Sequence, residues 1–187
     1  DTQGAMYHIF YEYADGSGKI EVATTRPETM FGDVCVVVNP IDTRFSHLIG
    51  KHAINPANGE ELIIIADEYI DMEFGTGAMK CTPAHDPNDF IIGEKNGFAK
   101  PICINPDGTM NELAGEYNGM DRFECRAALV KRIDGEGNLV KIEKMMHQVG
   151  HSERTDVIVE PYLSKQWFVK MKPLADDVLA NQQDDDT

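Results

Sequence analysis

The chain is short of basic residues, of paired cysteines and of long apolar runs. It carries 17 lysines and arginines against 32 aspartates and glutamates, which gives a formal net charge of -15 over 187 residues. This balance excludes a broad cationic face that captures nucleic acid by electrostatics alone, so any such contact must be local or assisted. No apolar run approaches the roughly 20 residues that cross a bilayer, and the first residues show no signal-peptide pattern. We therefore expect no membrane partner.

The four cysteines form no C-x-x-C pair; they are Cys35, Cys81, Cys103 and Cys125. Three of them stand among apolar residues, which is typical of buried thiols in a reducing compartment, and we expect a cytoplasmic protein. Because the cysteines and histidines are scattered, the sequence predicts no disulfide, no metal site and no cofactor.

Length and composition allow one well-filled core with an appendage, since 42% of the residues are hydrophobic. The sequence begins and ends abruptly, so we expect a piece of a longer protein. We also expect this piece to be monomeric. The character changes from "GHSERTD" onward, where an extended piece, the start of an amphipathic helix and an acidic tail follow one another. We predict one domain over residues 1–150 and a connector over residues 151–187.

Short strands separated by turn signals dominate the first 150 residues. Residues 7–13 and 19–23 alternate around "ADGSG", which predicts a hairpin, and the unbroken run "VCVVV" at 34–38 predicts a strand buried on both faces. Further strands are expected at 61–65, 77–81, 101–105 and 139–143. Many strands without βαβ alternation indicate a mainly β fold with helices (α+β), built as a barrel or a sandwich.

Two helices interrupt this pattern. The first has Asp86 at the N-cap, Pro87 and Asp89 at its first and third positions, and Gly97 at its end. The second is expected over residues 121–134 with one apolar stripe facing the core. That stripe comprises Phe123, Ala127, Val130 and Ile133.

The stretch "GTGAMKCTPAHDPNDF", residues 75–90, admits three interpretations. In the first, Asp86 and Asp89 only cap a helix, which is the commonest meaning of such residues. In the second, His85 and the two aspartates bind a metal ion, although no second histidine stands at a supporting spacing. In the third, a carboxylate held in the first helical turn receives the ammonium group of an amine-bearing substrate.

A second polar group stands in "ATTRPETMFG", residues 23–32, which predicts a helix that starts at the proline and stops at the glycine. Its polar members are Thr24, Thr25, Arg26 and Thr29. On residue types alone, a capping threonine beside a solvated arginine is the plainer interpretation. The chain shows no nucleophile elbow, P-loop or G-x-G-x-x-G motif.

Taken together, "TTRPETMFGD" and "GTGAMKCTPAHDPNDF" resemble the two signatures of the editing domain inserted into class I aminoacyl-tRNA synthetases for valine, isoleucine and leucine. The stretches "KCTPAHDPNDF" and "VGHSERTDVIVEPYLSKQWFVKMKPLA" are most similar to the valyl member. The resemblance implies a β-barrel-like domain that hydrolyses mischarged threonyl-tRNA specific for valine after transfer and releases threonine. Its partners would be the 3′ end of that tRNA and the remainder of the parent synthetase. The signatures HIGH and KMSKS are absent, so the piece would edit without charging.

The resemblance also implies roles for single residues. Asp89 would receive the substrate's α-ammonium group as a fixed, ionised and partly solvated carboxylate, with Asp86 as its capping neighbour and second candidate. Lys80 and Thr82 would line the amino-acid pocket and offer donors and an acceptor to the threonine hydroxyl.

The first motif and the histidine complete the set of expected binding residues. Arg26 would hold the terminal adenosine or its phosphate, and Thr29 would limit the size of the side chain. Neither Thr25 nor Thr29 stands beside a sequence cue for a general base, so direct attack by water is favoured over a protein nucleophile. His85 would support the pocket structurally. A non-hydrolytic module that docks the tRNA end and an isoleucyl-type editing domain remain the alternatives.

Overall fold

The computed structural model describes residues 2–147 and 159–164. Within them the strands are β1 (Thr2–Tyr13), β2 (Lys19–Thr24), β3 (Cys35–Val38), β4 (His52–Ile54), β5 (Glu61–Ala66), β6 (Ala78–Cys81) and β7 (Leu139–His147). The helices are α1 (Pro87–Asn96) and α2 (Arg122–Gly135), with short 3₁₀ helices at Pro27–Gly32, Ser46–Leu48 and Glu112–Tyr117. The predicted mainly β architecture is confirmed. No helix in these two ranges is long and apolar enough to cross a membrane.

The strands form a single sheet that curves into a nearly closed barrel. Its order is β2-β1-β4-β5-β3-β6. The strand β7 also pairs with β1, on the edge opposite β2, which it shares with β4. All neighbours are antiparallel except β3 and β5, which run parallel. The far end of the sheet returns to its beginning, since Thr76 Oγ1, just before β6, donates to the Glu21 carbonyl of β2 at 2.7 Å.

The predicted hairpin and the predicted fully buried strand are both confirmed. β1 and β2 pair around the turn with Ile9 opposite Val22. β3 is buried along its whole length because its two faces belong to two clusters. Val36 and Val38 face the barrel interior, whereas Val37 packs with Ile92 of α1. This arrangement fixes α1 against the outside of the barrel next to β6.

The second helix was placed correctly, but half of its predicted stripe is wrong. Cys125, Leu129 and Ile133 face the core, whereas Phe123 is 41% exposed and Ala127 is exposed too. Phe123 stays at the surface because the guanidinium group of Arg122 lies 4.7 Å, and that of Arg126 5.2 Å, from its ring centroid. Such cation–π contacts stabilise an aromatic ring outside the core.

Two strand predictions differ from the structure. Residues 101–105 form no strand, only the isolated bridge between Ile104 and Met110. The Cys103 N–H is used elsewhere, because it donates to the imidazole Nε2 of His85 at 3.0 Å. The short β4 was not predicted. "GHSERTD", the expected amphipathic helix and the acidic tail lie outside the described residues, and the division at residue 150 stays a prediction.

Candidate functional site

A cavity of about 420 Å³ opens between the end of β2, the loop before β6 and the start of α1. All eight residues singled out from the sequence line it: Thr25, Arg26, Thr29, Lys80, Thr82, His85, Asp86 and Asp89. Two segments far apart in the sequence thus meet at one place. The loop of residues 69–77 supplies the remaining wall.

The start of α1 separates the roles of its two aspartates. Asp86 is the N-cap, and its Oδ1 accepts from the backbone N–H groups of Asn88 at 2.8 Å and Asp89 at 3.2 Å. Gly97 ends the helix in the left-handed conformation, with φ of 69°. The capping interpretation is therefore correct for Asp86. Asp89 does not cap; its Oδ2 turns back to accept from the Thr82 N–H at 2.8 Å.

Asp89 sits in a drier environment than expected. Only 6% of the residue is exposed, so the expectation of a partly solvated carboxylate is wrong. Burial raises the pKa of Asp89 to about 6, although the Lys80 ammonium and the Thr82 N–H oppose the rise. A second positive charge beside the carboxylate would favour its ionised form. The pocket can therefore accept an ammonium group at this point.

A buried polar cluster forms the floor of the cavity. The Lys80 ammonium, 6% exposed, donates to Thr29 Oγ1 at 2.7 Å, to Asp33 Oδ1 at 3.0 Å and to Thr82 Oγ1. Lys80 reaches the cluster because β6 alternates, and Ala78 and Lys80 face the barrel side while Met79 and Cys81 face α1. Buried charges are stable when they are paired and hydrogen-bonded, and this one has three oxygen partners.

The guanidinium group of Arg26 contacts one backbone carbonyl and two carboxylates of the protein. Its Nη1 donates to the His85 carbonyl at 2.8 Å, Nη2 donates to Glu160, and Nε lies 3.5 Å from Glu28 Oε1. Glu160 belongs to residues 159–164 of the predicted connector and lies beside Arg26, which lines the cavity. The expected role of Arg26 in holding a terminal adenosine or phosphate stays a prediction.

His85 is buried in the wall of the cavity. Its Nε2 accepts from the Cys103 N–H at 3.0 Å, which leaves Nδ1 for the ring proton. Burial, and then the nearby Arg26 guanidinium, lowers the pKa of His85 to about 4. The contact suits the predicted supporting role. Among the described residues, no group of three or more histidines, cysteines or acidic residues is placed to hold a metal ion, and His85, Asp86 and Asp89 do not form one.

Sequence reasoning missed four residues at this site. Tyr69 and Phe74 stand on the loop before β6, line the cavity and are 58% and 64% exposed. Asp33 accepts from Lys80 inside the buried cluster, and Glu160 accepts from Arg26, which lines the cavity. Only Asp33 carried a signal, because it is the last residue of the quoted motif "TTRPETMFGD".

The chain is similar in sequence to known proteins. The family model described as "Leucyl-tRNA synthetase, editing domain" matches residues 43–124. The valine-tRNA ligase of Staphylococcus saprophyticus is 59% identical over 186 residues, which is 100% of this chain and 21% of that protein. The valine-tRNA ligase of Lactobacillus acidophilus is 60% identical over 183 residues, 98% of this chain and 21% of that protein. The chain is therefore similar over its full length to the part of valine-tRNA ligases that corresponds to this editing-domain region.

Two solved structures share the fold of this chain. The first is a leucyl-tRNA synthetase of Agrobacterium radiobacter K84 in a ternary complex with tRNA and LeuAMS. The match covers 77% of this chain and 20% of that protein, with a TM-score of 0.58 and 19% sequence identity. GlLeuRS-CP1 matches 75% of the chain with 100% of its own length at a TM-score of 0.56 and 14% identity. The domain spans only 21% of the valine-tRNA ligases that it resembles.

Proposed function

We propose that this editing domain hydrolyses the ester of threonyl-tRNA specific for valine after transfer and releases threonine, as the editing part of a valine-tRNA ligase. One observation carries the proposal: a single cavity holds a buried carboxylate, Asp89, and a floor of threonine hydroxyls, Thr29 and Thr82. A threonyl ester presents an ammonium group and a hydroxyl that complement these two features. Similarity over the full chain to valine-tRNA ligases supports threonine as the amino acid rather than the substrate of an isoleucyl-type domain.

The reaction needs positioning more than a protein nucleophile. Asp89 holds the α-ammonium group, and water attacks the ester carbonyl carbon while the carbon–oxygen bond to the ribose breaks and the ribose oxygen takes the proton. The hydroxyl proton of Thr29 goes to the Arg26 carbonyl at 2.9 Å, and that of Thr82 to Asp33 at 2.6 Å. Since both hydroxyls are committed, water is the better nucleophile. Orientation alone supplies up to about 7 to 11 kcal/mol in favourable cases.

The mouth of the cavity suits the end of a single-stranded RNA. Tyr69 and Phe74 offer exposed rings on which a terminal base stacks, with about 1 to 3 kcal/mol per base. The net charge of -15 argues that the domain by itself binds tRNA weakly. We infer that the remainder of a cytoplasmic parent synthetase grips the body of the tRNA.

Selectivity between threonyl and valyl esters tests the proposal. A valyl side chain offers no proton to the threonine hydroxyls, and a lost buried hydrogen bond costs roughly 1 to 3 kcal/mol. We expect threonyl-tRNA to be hydrolysed about 5 to 150 times faster than valyl-tRNA. The measurement is single-turnover deacylation of both esters by this chain and by a full-length valine-tRNA ligase that contains it. Equal rates would contradict the selectivity, and hydrolysis of neither ester would favour the docking module.

The pH dependence tests the role of Asp89. Its pKa of about 6 lies above the ordinary value, so the carboxylate loses its charge as the pH falls through 6. The substrate ammonium stays protonated in this range, because α-amino groups titrate at about 7.7 to 8. We expect kcat/KM, corrected for spontaneous hydrolysis, to fall about tenfold per pH unit below this point. A flat profile between about pH 5 and 7 would exclude Asp89 as the ammonium ligand.

A further inference from the structure

We propose that Asp33, which does not touch the cavity, determines specificity by orienting Lys80 and Thr82 so that the floor of the pocket presents only hydrogen-bond acceptors. The inference deepens the proposed function by assigning the residue that makes the pocket select a hydroxyl-bearing side chain over an isosteric apolar one. Asp33 is a positioning residue in this view, since it acts through its neighbours.

The carboxylate of Asp33 is held from both sides. Its side chain is fully buried, and Oδ1 accepts from Lys80 Nζ at 3.0 Å and from Thr82 Oγ1 at 2.6 Å. Its Oδ2 accepts from the Tyr11 hydroxyl at 3.0 Å. Asp33 follows the 3₁₀ helix Pro27–Gly32, Tyr11 lies on β1 and Lys80 on β6, so three separate elements fix one carboxylate.

Every proton of the cluster already has a destination. An ammonium group has three N–H donors, and those of Lys80 go to Thr29, Asp33 and Thr82. The hydroxyl proton of Thr82 goes to Asp33, and that of Thr29 goes to the Arg26 carbonyl. In this arrangement all three N–H donors of Lys80 are used inside the cluster, and its expected role toward the substrate stays a prediction.

The cluster still has lone pairs to offer. A hydroxyl oxygen carries two, and in Thr29 and Thr82 one of them accepts from Lys80. Both residues line the cavity, whereas Asp33 does not. The floor can thus accept a proton from a β-hydroxyl of the substrate, and it offers nothing to a methyl group in the same place.

The negative charge of Asp33 sets this polarity. A carboxylate only accepts, so Thr82 must point its proton away from the cavity. An asparagine at residue 33 would bring two N–H donors, compete for the Thr82 oxygen and release the hydroxyl proton toward the pocket. Burial raises the pKa of Asp33, but the Lys80 ammonium and three hydrogen bonds oppose the rise and favour the ionised form.

The test compares binding as well as hydrolysis. The probes are non-hydrolysable 3′-amide analogues of threonyl-adenosine and valyl-adenosine, titrated by calorimetry into the unmodified chain and into Asp33→Asn. We expect the unmodified chain to prefer the threonyl analogue, and Asp33→Asn to reduce that preference about tenfold by weakening threonyl binding while valyl binding changes little. Single-turnover hydrolysis of the two esters should show the same loss of selectivity.

Two further variants separate positioning from general damage. Tyr11→Phe removes one hydrogen bond to Asp33 and keeps the charge of Asp33, so it should lower the preference for the threonyl analogue by a smaller factor, about two- to fivefold. If Asp33→Asn fails to fold, Tyr11→Phe is the variant that tests the role of Asp33. Asp67→Asn serves as the matched control, because Asp67 is also buried and pairs with a lysine, Lys95, at 2.8 Å. It should leave the preference unchanged.

The outcomes are distinguishable from those of the proposed function. Equal weakening of both analogues by Asp33→Asn would mean that Asp33 is only a structural counter-ion and would overturn the inference, as would an unmodified chain with no preference. An unmodified chain that prefers the threonyl analogue but cleaves neither ester would refute hydrolysis and leave the role of Asp33 to be decided by the binding ratio.

Discussion

Replacing Asp89 by asparagine is expected to lower the rate of threonyl-tRNA hydrolysis about 100-fold or more while the domain stays folded. The substrate ammonium would lose its charged partner in a site where Asp89 is 6% exposed, and charge-assisted hydrogen bonds contribute about twice as much as neutral ones. The ester would then leave the geometry for attack by water. Single-turnover deacylation at neutral pH measures the effect, and an unchanged rate would refute the assignment.

The free energy of unfolding of Asp89→Asn should not fall with the rate, and it should be equal to or greater than that of the unmodified domain. In the folded domain the pKa of Asp89 is about 6, above the ordinary value of 3.8, so the folded state binds the proton more tightly than the unfolded chain. Stability therefore falls as the pH rises from about 4 to 6, and the ionised carboxylate destabilises the fold by about 1 to 3 kcal/mol at neutral pH. Asp89→Asn, which still accepts from the Thr82 N–H, should be as stable as the unmodified domain or more so.

Urea denaturation at neutral pH checks this expectation. The control is Asp121→Asn, because Asp121 caps α2 and asparagine keeps the cap. Both variants should remain folded, and only Asp89→Asn should lose hydrolysis. A large loss of stability in Asp89→Asn would mean that the carboxylate serves the fold, and that its loss of activity cannot be assigned to the substrate ammonium.

Glu28→Ala is expected to lower the free energy of unfolding by about 3 to 5 kcal/mol, because it strips a buried ion pair of one partner. Glu28 is 0% exposed, and its two carboxylate oxygens accept from Nε and Nη2 of Arg126, both at 2.7 Å. This bidentate pair ties the 3₁₀ helix of the first motif to α2. The motif glutamate thus anchors the wall on which Arg26 and Thr29 stand.

A matched exposed pair provides the comparison. Glu116 and Arg132 lie 3.0 Å apart with side chains 66% and 32% exposed, so Glu116→Ala should cost at most about 1 kcal/mol. Urea denaturation of both variants at one pH gives the two values. Similar small losses in both variants would show that the Glu28–Arg126 pair contributes no more than a surface pair.

Local chemistry made much of this site predictable. The N-cap aspartate, the proline after it and the closing glycine of α1 act within one helix, so Asp86, Pro87 and Gly97 could be placed without knowledge of the fold. The strand β3 was predictable for a similar reason, because four successive apolar residues indicate burial on both faces.

The remaining features depend on tertiary contacts. Asp33 acquires its meaning only when β1 brings Tyr11, and β6 brings Lys80, to the same point. The dryness around Asp89 likewise comes from neighbours outside its helix. The Cys103 N–H was expected to donate to a neighbouring strand. It donates instead to the imidazole of His85, which comes from another segment of the chain. The spacing of residue types along the sequence does not predict these tertiary contacts.

The ladder between β1 and β7 has a consequence for synthesis of the protein. It joins opposite ends of the domain, with Tyr7 opposite Ile142, whereas the hairpin of β1 and β2 closes over a short turn. Since closing a longer loop costs more chain entropy, the hairpin should form early and the β1–β7 ladder late. While the chain emerges from the ribosome, the second edge of β1 lacks its main partner until β7 has been made. An unpaired edge of this kind is open to pairing with another chain, so this interval is the time at which a chaperone would protect the growing domain.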